Sequence, residues 1–179
     1  KAQQETFQQG FMNIFYLCLP CALASFNHSP DIAILEVLGL ELWVLSYTLE
    51  NFADLQKKSF MSEIERRDKQ SDRNSTDDVS NVRPVLGLTP WDTKYWLWGL
   101  VRHPNYLGEF GCWCGWALIG MSQVIDIRDT LPAKMIYATA IAILPVLLYD
   151  CLVHWTGAGP AEYYSVQHRQ QYREYQAKV

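Results

Sequence analysis

Residues 102–109 read RHPNYLGE and bring Arg102, His103, Asn105, Tyr106 and Glu109 together at the mouth of an otherwise apolar segment. Polar side chains next to hydrocarbon are costly and usually face a cavity or a partner. The residue types suit a polar ligand held at a bilayer edge. Arg102 offers the planar fork that matches phosphate or carboxylate. Asn105 both donates and accepts, which suits an amide or a purine edge. Tyr106 can stack or donate, and Glu109, the deepest of the set, needs a donor nearby to stay ionised. A bland reading stands beside each: Arg102 and His103 as interface residues that snorkel, Glu109 as half of a buried ion pair.

Two other stretches carry chemistry. Tyr47, Glu50, Asp54 and Lys57 are spaced by three and four, so they share one helical face. The tail carries Glu162, Tyr172, Arg173 and Tyr175. Lys57, Arg102 and Arg173 are the charge partners that an anionic ligand would find, whereas Tyr172 and Tyr175 also suit the anchoring of a surface helix. No Gly-rich phosphate loop follows a strand, and no metal-ligand spacing or Ser/His/Asp set stands out. Cys18, Cys21, Cys112, Cys114 and Cys151 lie in or beside apolar runs and read as buried thiols rather than a redox or disulfide framework.

These groups must be positioned by membrane-type elements. The chain has 179 residues, 49% of them hydrophobic, yet the mean hydropathy is only -0.10, so long apolar runs alternate with a very polar stretch. A net charge of -4 excludes a global basic field of the kind that binds nucleic acid. Of seven Trp and ten Tyr, many sit near the ends of apolar runs, where amphipathic rings suit a membrane interface. The chain opens on Lys1 rather than Met, with no signal-peptide pattern, which leaves room for an upstream segment.

Four spans are expected. Residues 11–26 form the first, and a turn containing Pro30 leads into one long helix over 31–60, apolar at first apart from Glu36 and Glu41, then amphipathic. Residues 62–90 read as a polar loop, with 62–81 charged, rich in Ser, Asn and Asp, and suited to disorder. It includes Asn74-Ser-Thr76, a formal glycosylation acceptor. Pro104 starts a third span over 107–121, kept thin by Gly108, Gly111, Gly115 and Gly120, and residues 131–154 form the fourth, with Pro145 as a kink. Lys and Arg concentrate in the long loop and the tail. The positive-inside rule therefore puts both on the cytosolic face, as an even number of spans requires. The expectation is an all-α, polytopic membrane helical bundle of about four transmembrane helices, a single domain over 1–179.

RHPNYLGE followed by a Trp- and Gly-rich span resembles the C-terminal domain of the steroid 5α-reductase-like membrane superfamily, in its uncharacterised bacterial and protist branch. Glu50-Asn-Phe-Ala-Asp-Leu-Gln-Lys57 is similar to that branch's Glu-x-x-Ala-Asp-x-Gln-Lys helix, and residues 162–175 to its closing segment. The resemblance covers about 40–176, with the three pieces in the right order. It implies an NADPH pocket open to the cytosol, lined by Asp54, Arg102, His103, Asn105, Tyr106 and Glu109 and more loosely by Lys57, Glu162, Tyr172 and Arg173.

The implied reaction is reduction of a carbon–carbon double bond in a lipid or steroid-like substrate. Glu109 and Tyr106 are the catalytic candidates, since the acid and tyrosine that steroid reductases take from their N-terminal half have no clear counterpart here. Isoprenylcysteine carboxyl methyltransferases share Arg-His-Pro-x-Tyr and a similar tail, which keeps a second reading with S-adenosylmethionine as cofactor. A third reading is a non-catalytic membrane subunit of a larger complex.

Overall fold

The computed structural model describes Ala22 and residues 32–74, 84–88, 92–126, 128–155, 157–169 and 171–179. The first expected span, Cys18, Cys21 and the turn at Pro30 lie outside these residues. The described elements are all helical. Helix α1 is Ile34–Asn74, a 3-10 turn Asp92–Tyr95 leads into α2, Trp96–Leu100, and α3 is Pro104–Asp126. Helix α4, Leu131–Asp150, runs into a π turn, Cys151–Trp155, before α5, Ala158–His168, and α6, Tyr172–Lys178.

Helix α1 exceeds the expectation. Residues 62–74, read from composition as part of a disorder-prone loop, continue the helix. The physical reason is local. Glu63 pairs with Arg66 at 3.0 Å and with Arg67 at 3.1 Å, and Glu65 pairs with Lys69 at 2.6 Å. Such three- and four-residue pairs support a largely exposed helix, with Ile64 packed against the apolar cluster at Phe60 and Trp98, and a compositional reading averages them away. Both carboxyls sit below the ordinary carboxylate range because of these hydrogen bonds.

Helices α1 and α3 form the principal pair, antiparallel. Their seam is built from glycines facing backbone. A Cβ on Gly115 would lie 2.6 Å from the Gly39 carbonyl oxygen, and one on Gly108 would lie 2.7 Å from the Glu50 amide nitrogen. Gly111 instead leaves room for the Ser46 side chain, whose Cβ would lie 2.8 Å from a Cβ at 111. The helices therefore approach more closely than any larger side chain allows. The seam is closed at one end by Glu36, whose carboxylate accepts from the Ala33 amide at 3.2 Å, from Ser122 Oγ at 3.2 Å and from Gln123 Nε2. That network satisfies an acid in a segment of apolar sequence.

At the opposite end, Trp98 on α2 links three segments. Its Nε1 donates to the Ala53 carbonyl at 3.1 Å, and its own carbonyl accepts from the Tyr175 hydroxyl at 2.6 Å. Ala53, Phe60, Leu86, Tyr95, Leu97 and Trp98 form the apolar cluster around it. Gly87, at φ +95°, turns the chain so tightly that a Cβ would lie 2.6 Å from the Trp98 carbonyl oxygen. This is a left-handed position that only glycine takes without strain.

Among the described residues one helical run, Leu131–His168, is long and apolar enough to cross a membrane, with a mean hydropathy of 2.0 over its most apolar window. The fourth expected span corresponds to it. The expected third span falls within α3, and the second within α1.

The glycine seam predicts a specific pattern of stability. Gly108→Ala forces α1 and α3 apart and should lower the stability of the purified protein by about 1–3 kcal/mol, the usual range for overpacking. Gly99→Ala, on α2 where a Cβ would meet nothing within 4 Å, should be neutral or mildly stabilising. Thermal unfolding of the two variants side by side checks this.

Candidate functional site

The site grows from the Trp98 junction. Because α1 and α3 run antiparallel in close contact, the end of α1 carrying Asp54 and Lys57 stands beside the start of α3, where Pro104 occupies the first helical position. The Tyr175 hydroxyl bond then brings the tail against the same junction.

Glu162, on α5, is the hub. Its Oε1 accepts from His103 Nε2 at 2.9 Å, and its Oε2 accepts from Gln176 Nε2 at 2.7 Å and faces Arg102 Nη1 at 3.4 Å. An ionised carboxylate can only accept, so the His103 proton sits on Nε2. Burial, the largest cause, holds His103 below the ordinary value of 6.5, with Arg102 and Lys57 adding to it against the pull of Glu162. His103 is therefore a neutral donor at neutral pH. Its ring stacks on Tyr106, centroids 5.3 Å apart and planes 12° from parallel.

Beside this hub lies a cavity of about 160 Å³ whose lining includes Lys57, Trp98, Arg102, His103, Arg169 and Tyr172. Lys57 lies over the Trp98 ring, 5.6 Å from its centroid. Burial raises the Tyr172 phenol above its usual range, while Arg102, Arg169 and a hydrogen bond with Ser165 pull it back, so it stays a proton donor.

On the far side of the His103–Tyr106 stack the charge changes sign. The carboxylates of Glu50, Asp54 and Glu109 act on one another, and Asp54 and Glu109 act on the Tyr106 hydroxyl. Among the described residues Glu109 has no ion-pair partner, so the buried pair that the sequence allowed for is not formed. Amide atoms of two side chains on these helices are buried and unsatisfied. Gln56, 5% exposed, has neither Nε2 nor Oε1 hydrogen-bonded, and Asn105 Oδ1 likewise has no partner. Buried polar atoms are nearly always bonded to protein, water or ligand, so orphans at a site mark where a ligand or water is received.

Of the residues read from sequence, Lys57, Arg102, His103 and Tyr172 line the cavity, with Glu162 at its hub. Tyr106 adjoins it through its stack on His103, Asp54 and Glu109 act on the Tyr106 hydroxyl, and Asn105 is not among the lining residues. Arg173 does not join them. It is exposed and borders a separate hollow with Glu162, Tyr163 and Gln176. Arg169, unread from sequence, stands where Arg173 was expected, because the break between α5 and α6 turns residue 169 inward. Trp98, Gln56 and Gln176 were also missed, although Gln56 lies inside the Ala-Asp-x-Gln-Lys string. Cys112, behind Glu50, donates weakly to its carboxylate at 3.9 Å and to the Trp43 carbonyl at 3.8 Å, in keeping with a structural thiol. No cluster of metal-ligating side chains occurs among the described residues.

His103 fixes the sign of one pH response. With the folded-state value below the unfolded one, its contribution to stability is complete above about pH 6.5 and is lost as the pH falls below it. Between pH 7.5 and 5.5 the wild-type protein should lose more thermal stability than His103→Gln, which keeps a donor and cannot titrate.

Residues 3–179 match the model of DUF1295, described as a protein family of unknown function. No curated protein and no solved structure matches the chain. With almost the whole sequence covered, the chain belongs to the DUF1295 family, a steroid 5α-reductase-like group.

Proposed function

We propose that this protein is a membrane-embedded, NADPH-dependent reductase acting on a carbon–carbon double bond of a lipid or steroid-like substrate. The observation that carries the reading is the cavity in which Lys57, Arg102 and Arg169 converge beside Trp98 and Tyr172; the orphaned amide atoms of Gln56 and Asn105, on the two helices that meet there, add unspent hydrogen-bonding capacity. This donor set fits a phosphorylated nucleotide. The cations and the Tyr172 hydroxyl would hold phosphate oxygens, and the two amides would meet a carboxamide or a base edge.

When bound, the cofactor supplies the hydride. The chain's own part is placement and proton handling. Glu162 fixes Arg102 and His103 through its two oxygens, and the neutral His103 ring in turn sets the Tyr106 ring. Tyr106, flanked by Glu109 and Asp54, is the group best placed to deliver a proton at the aromatic stack.

A lipid substrate is consistent with the outer surface. Only 17% of the most apolar window of Leu131–His168 is buried, where the core helix of a soluble protein would be mostly covered. Ile34, Val37, Leu38, Leu40, Val44 and Leu45 on α1 are likewise exposed, an apolar face of the kind that marks membrane or partner contact. In the proposed topology the helices form a polytopic bundle of about four spans, with the 62–90 segment and the tail on the cytosolic side.

The cation-rich cavity favours a phosphorylated cofactor over S-adenosylmethionine, which carries a sulfonium cation and a single carboxylate. Titration of the detergent-purified protein with each cofactor tests the choice. NADPH should bind, and Arg102→Ala and Asn105→Ala should each weaken it, the former by about tenfold as expected for loss of a charge-assisted bond. S-adenosylmethionine binding without NADPH binding would overturn the reductase reading in favour of a methyltransferase. Binding of neither, with other subunits copurifying, would make the protein a structural component.

A further inference from the structure

The face of α1 turned away from α3 carries a regular pattern. Gly39, Trp43, Ser46 and Glu50 meet α3. Ile34, Leu38, Glu41, Leu45, Thr48 and Phe52 lie on the other side, since a step of two residues turns a helix by about 200°. Their spacings alternate between four and three residues, the heptad rhythm of a helix that pairs along its length. The four apolar members are between 47% and 76% exposed, so no described residue covers the stripe. From Ile34 to Phe52 it runs about 27 Å, close to the depth of a bilayer's hydrocarbon.

The polar groups on this face are treated differently from one another. Thr48 Oγ1 donates to the Val44 carbonyl at 2.7 Å, and Asn51 Nδ2, at the edge of the stripe, donates to the Tyr47 carbonyl at 2.7 Å. Both are closed within their own helix, as suits a surface in contact with lipid. Glu36 is spent on Ala33, Ser122 and Gln123 at the α3 seam. Glu41 is exposed, and among the described residues it makes no hydrogen bond and no ion pair. In the membrane placement proposed above it lies well inside the span, where an ionisable side chain is costly unless a partner meets it.

We infer that this stripe is the contact between two copies of the chain, α1 against α1 in parallel, with the two Glu41 carboxyls hydrogen-bonded to each other at the two-fold axis. The inference rests on the membrane placement and is independent of the cofactor. Copies inserted by the same signals share one orientation, so a two-fold axis along the membrane normal sets each residue of α1 opposite its equivalent. A second copy therefore brings a carboxyl to the depth of Glu41 with no further condition, and a carboxyl that carries a proton donates to one that accepts. The heptad spacing keeps the two stripes in register at a shallow left-handed crossing. In lipid, apolar side chains give one helix little preference for another, so the carboxyl pair supplies the attraction and fixes the pairing. The contact lies on the side of α1 away from α3, and each copy keeps its own cavity at Trp98.

Disulfide cross-linking in native membranes reads the contact directly. In a background with Cys18, Cys21, Cys112, Cys114 and Cys151 replaced by Ser, the single variants Leu38→Cys, Leu45→Cys and Phe52→Cys should form chain-to-chain disulfides. Leu40→Cys on α1 and Val146→Cys on α4, both exposed but off the stripe, should not. In detergent, energy transfer between fluorescently labelled copies should show Glu41→Leu associating about tenfold more weakly than wild type. The two should share one melting temperature when diluted to monomers. Glu41→Gln, whose amide both donates and accepts, should associate nearly as well as wild type.

Cross-links that ignore the spacing of the stripe, or wild-type copies that stay apart, overturn the inference. So does Glu41→Leu associating as tightly as wild type, which would leave the carboxyl pair without a role. A disulfide from Leu38→Cys or Leu45→Cys to Cys18 or Cys21 of the same chain, in a background that keeps those two, would assign the stripe to the chain's own N-terminal stretch and also overturn it. If alkaline carbonate strips the chain from its membranes, the membrane placement falls and the inference with it. A chain that stays in the bilayer without cross-linking loses the inference alone.

Discussion

The arrangement depends on how closely two helices can approach. Gly108 and Gly115 on α3 face the backbone of Glu50 and of the Gly39–Trp43 turn of α1, and Gly111 between them receives the Ser46 side chain. A seam of this kind has one register, since a slip of one residue drives a Cβ into a carbonyl or an amide. Fixing the register fixes which residues of α1 stand beside the start of α3. Lys57 therefore belongs to the same cavity as Arg102 and His103, although many residues separate them in the chain.

On that frame the tail is held by directional bonds. Trp98 donates to α1 and accepts from Tyr175, and Glu162 gathers Arg102, His103 and Gln176. Both hubs bring together residues remote in sequence, so site and fold share their attachments. Glu162 also sets the electrical character of the site. It compensates Arg102 and orders a neutral His103, leaving the charge of Lys57 and Arg169 available to a ligand. The division between a cationic hollow and the acidic side of Glu50, Asp54 and Glu109, with the His103–Tyr106 stack between them, gives an extended ligand a direction.

Much of this was legible in the sequence, for identifiable reasons. The glycine spacing on α3 and the start at Pro104 are local signals, and both appear in the structure. The grouping of Arg102, His103, Lys57 and Tyr172 followed from topology and from the resemblance, and the cavity brings them together. The extent of α1 was misread because composition is blind to the spacing of Glu63 and Glu65 from their cations. Arg169 and Arg173 look interchangeable as letters, and only the turn between α5 and α6 decides which one faces inward. Trp98 read as one more interface aromatic, since nothing local says that its indole meets Ala53. The orphaned amide of Gln56 is a property of packing and has no sequence signature.

The central claim is that α1, the start of α3 and the tail form one cofactor pocket. Hydrogen–deuterium exchange of the detergent-purified protein with and without NADPH tests it most directly. The account predicts that protection rises together in three separate stretches, residues 54–61, 98–106 and 161–175, with little change along α4. Protection confined to one of these stretches, or found only along α4, would contradict it.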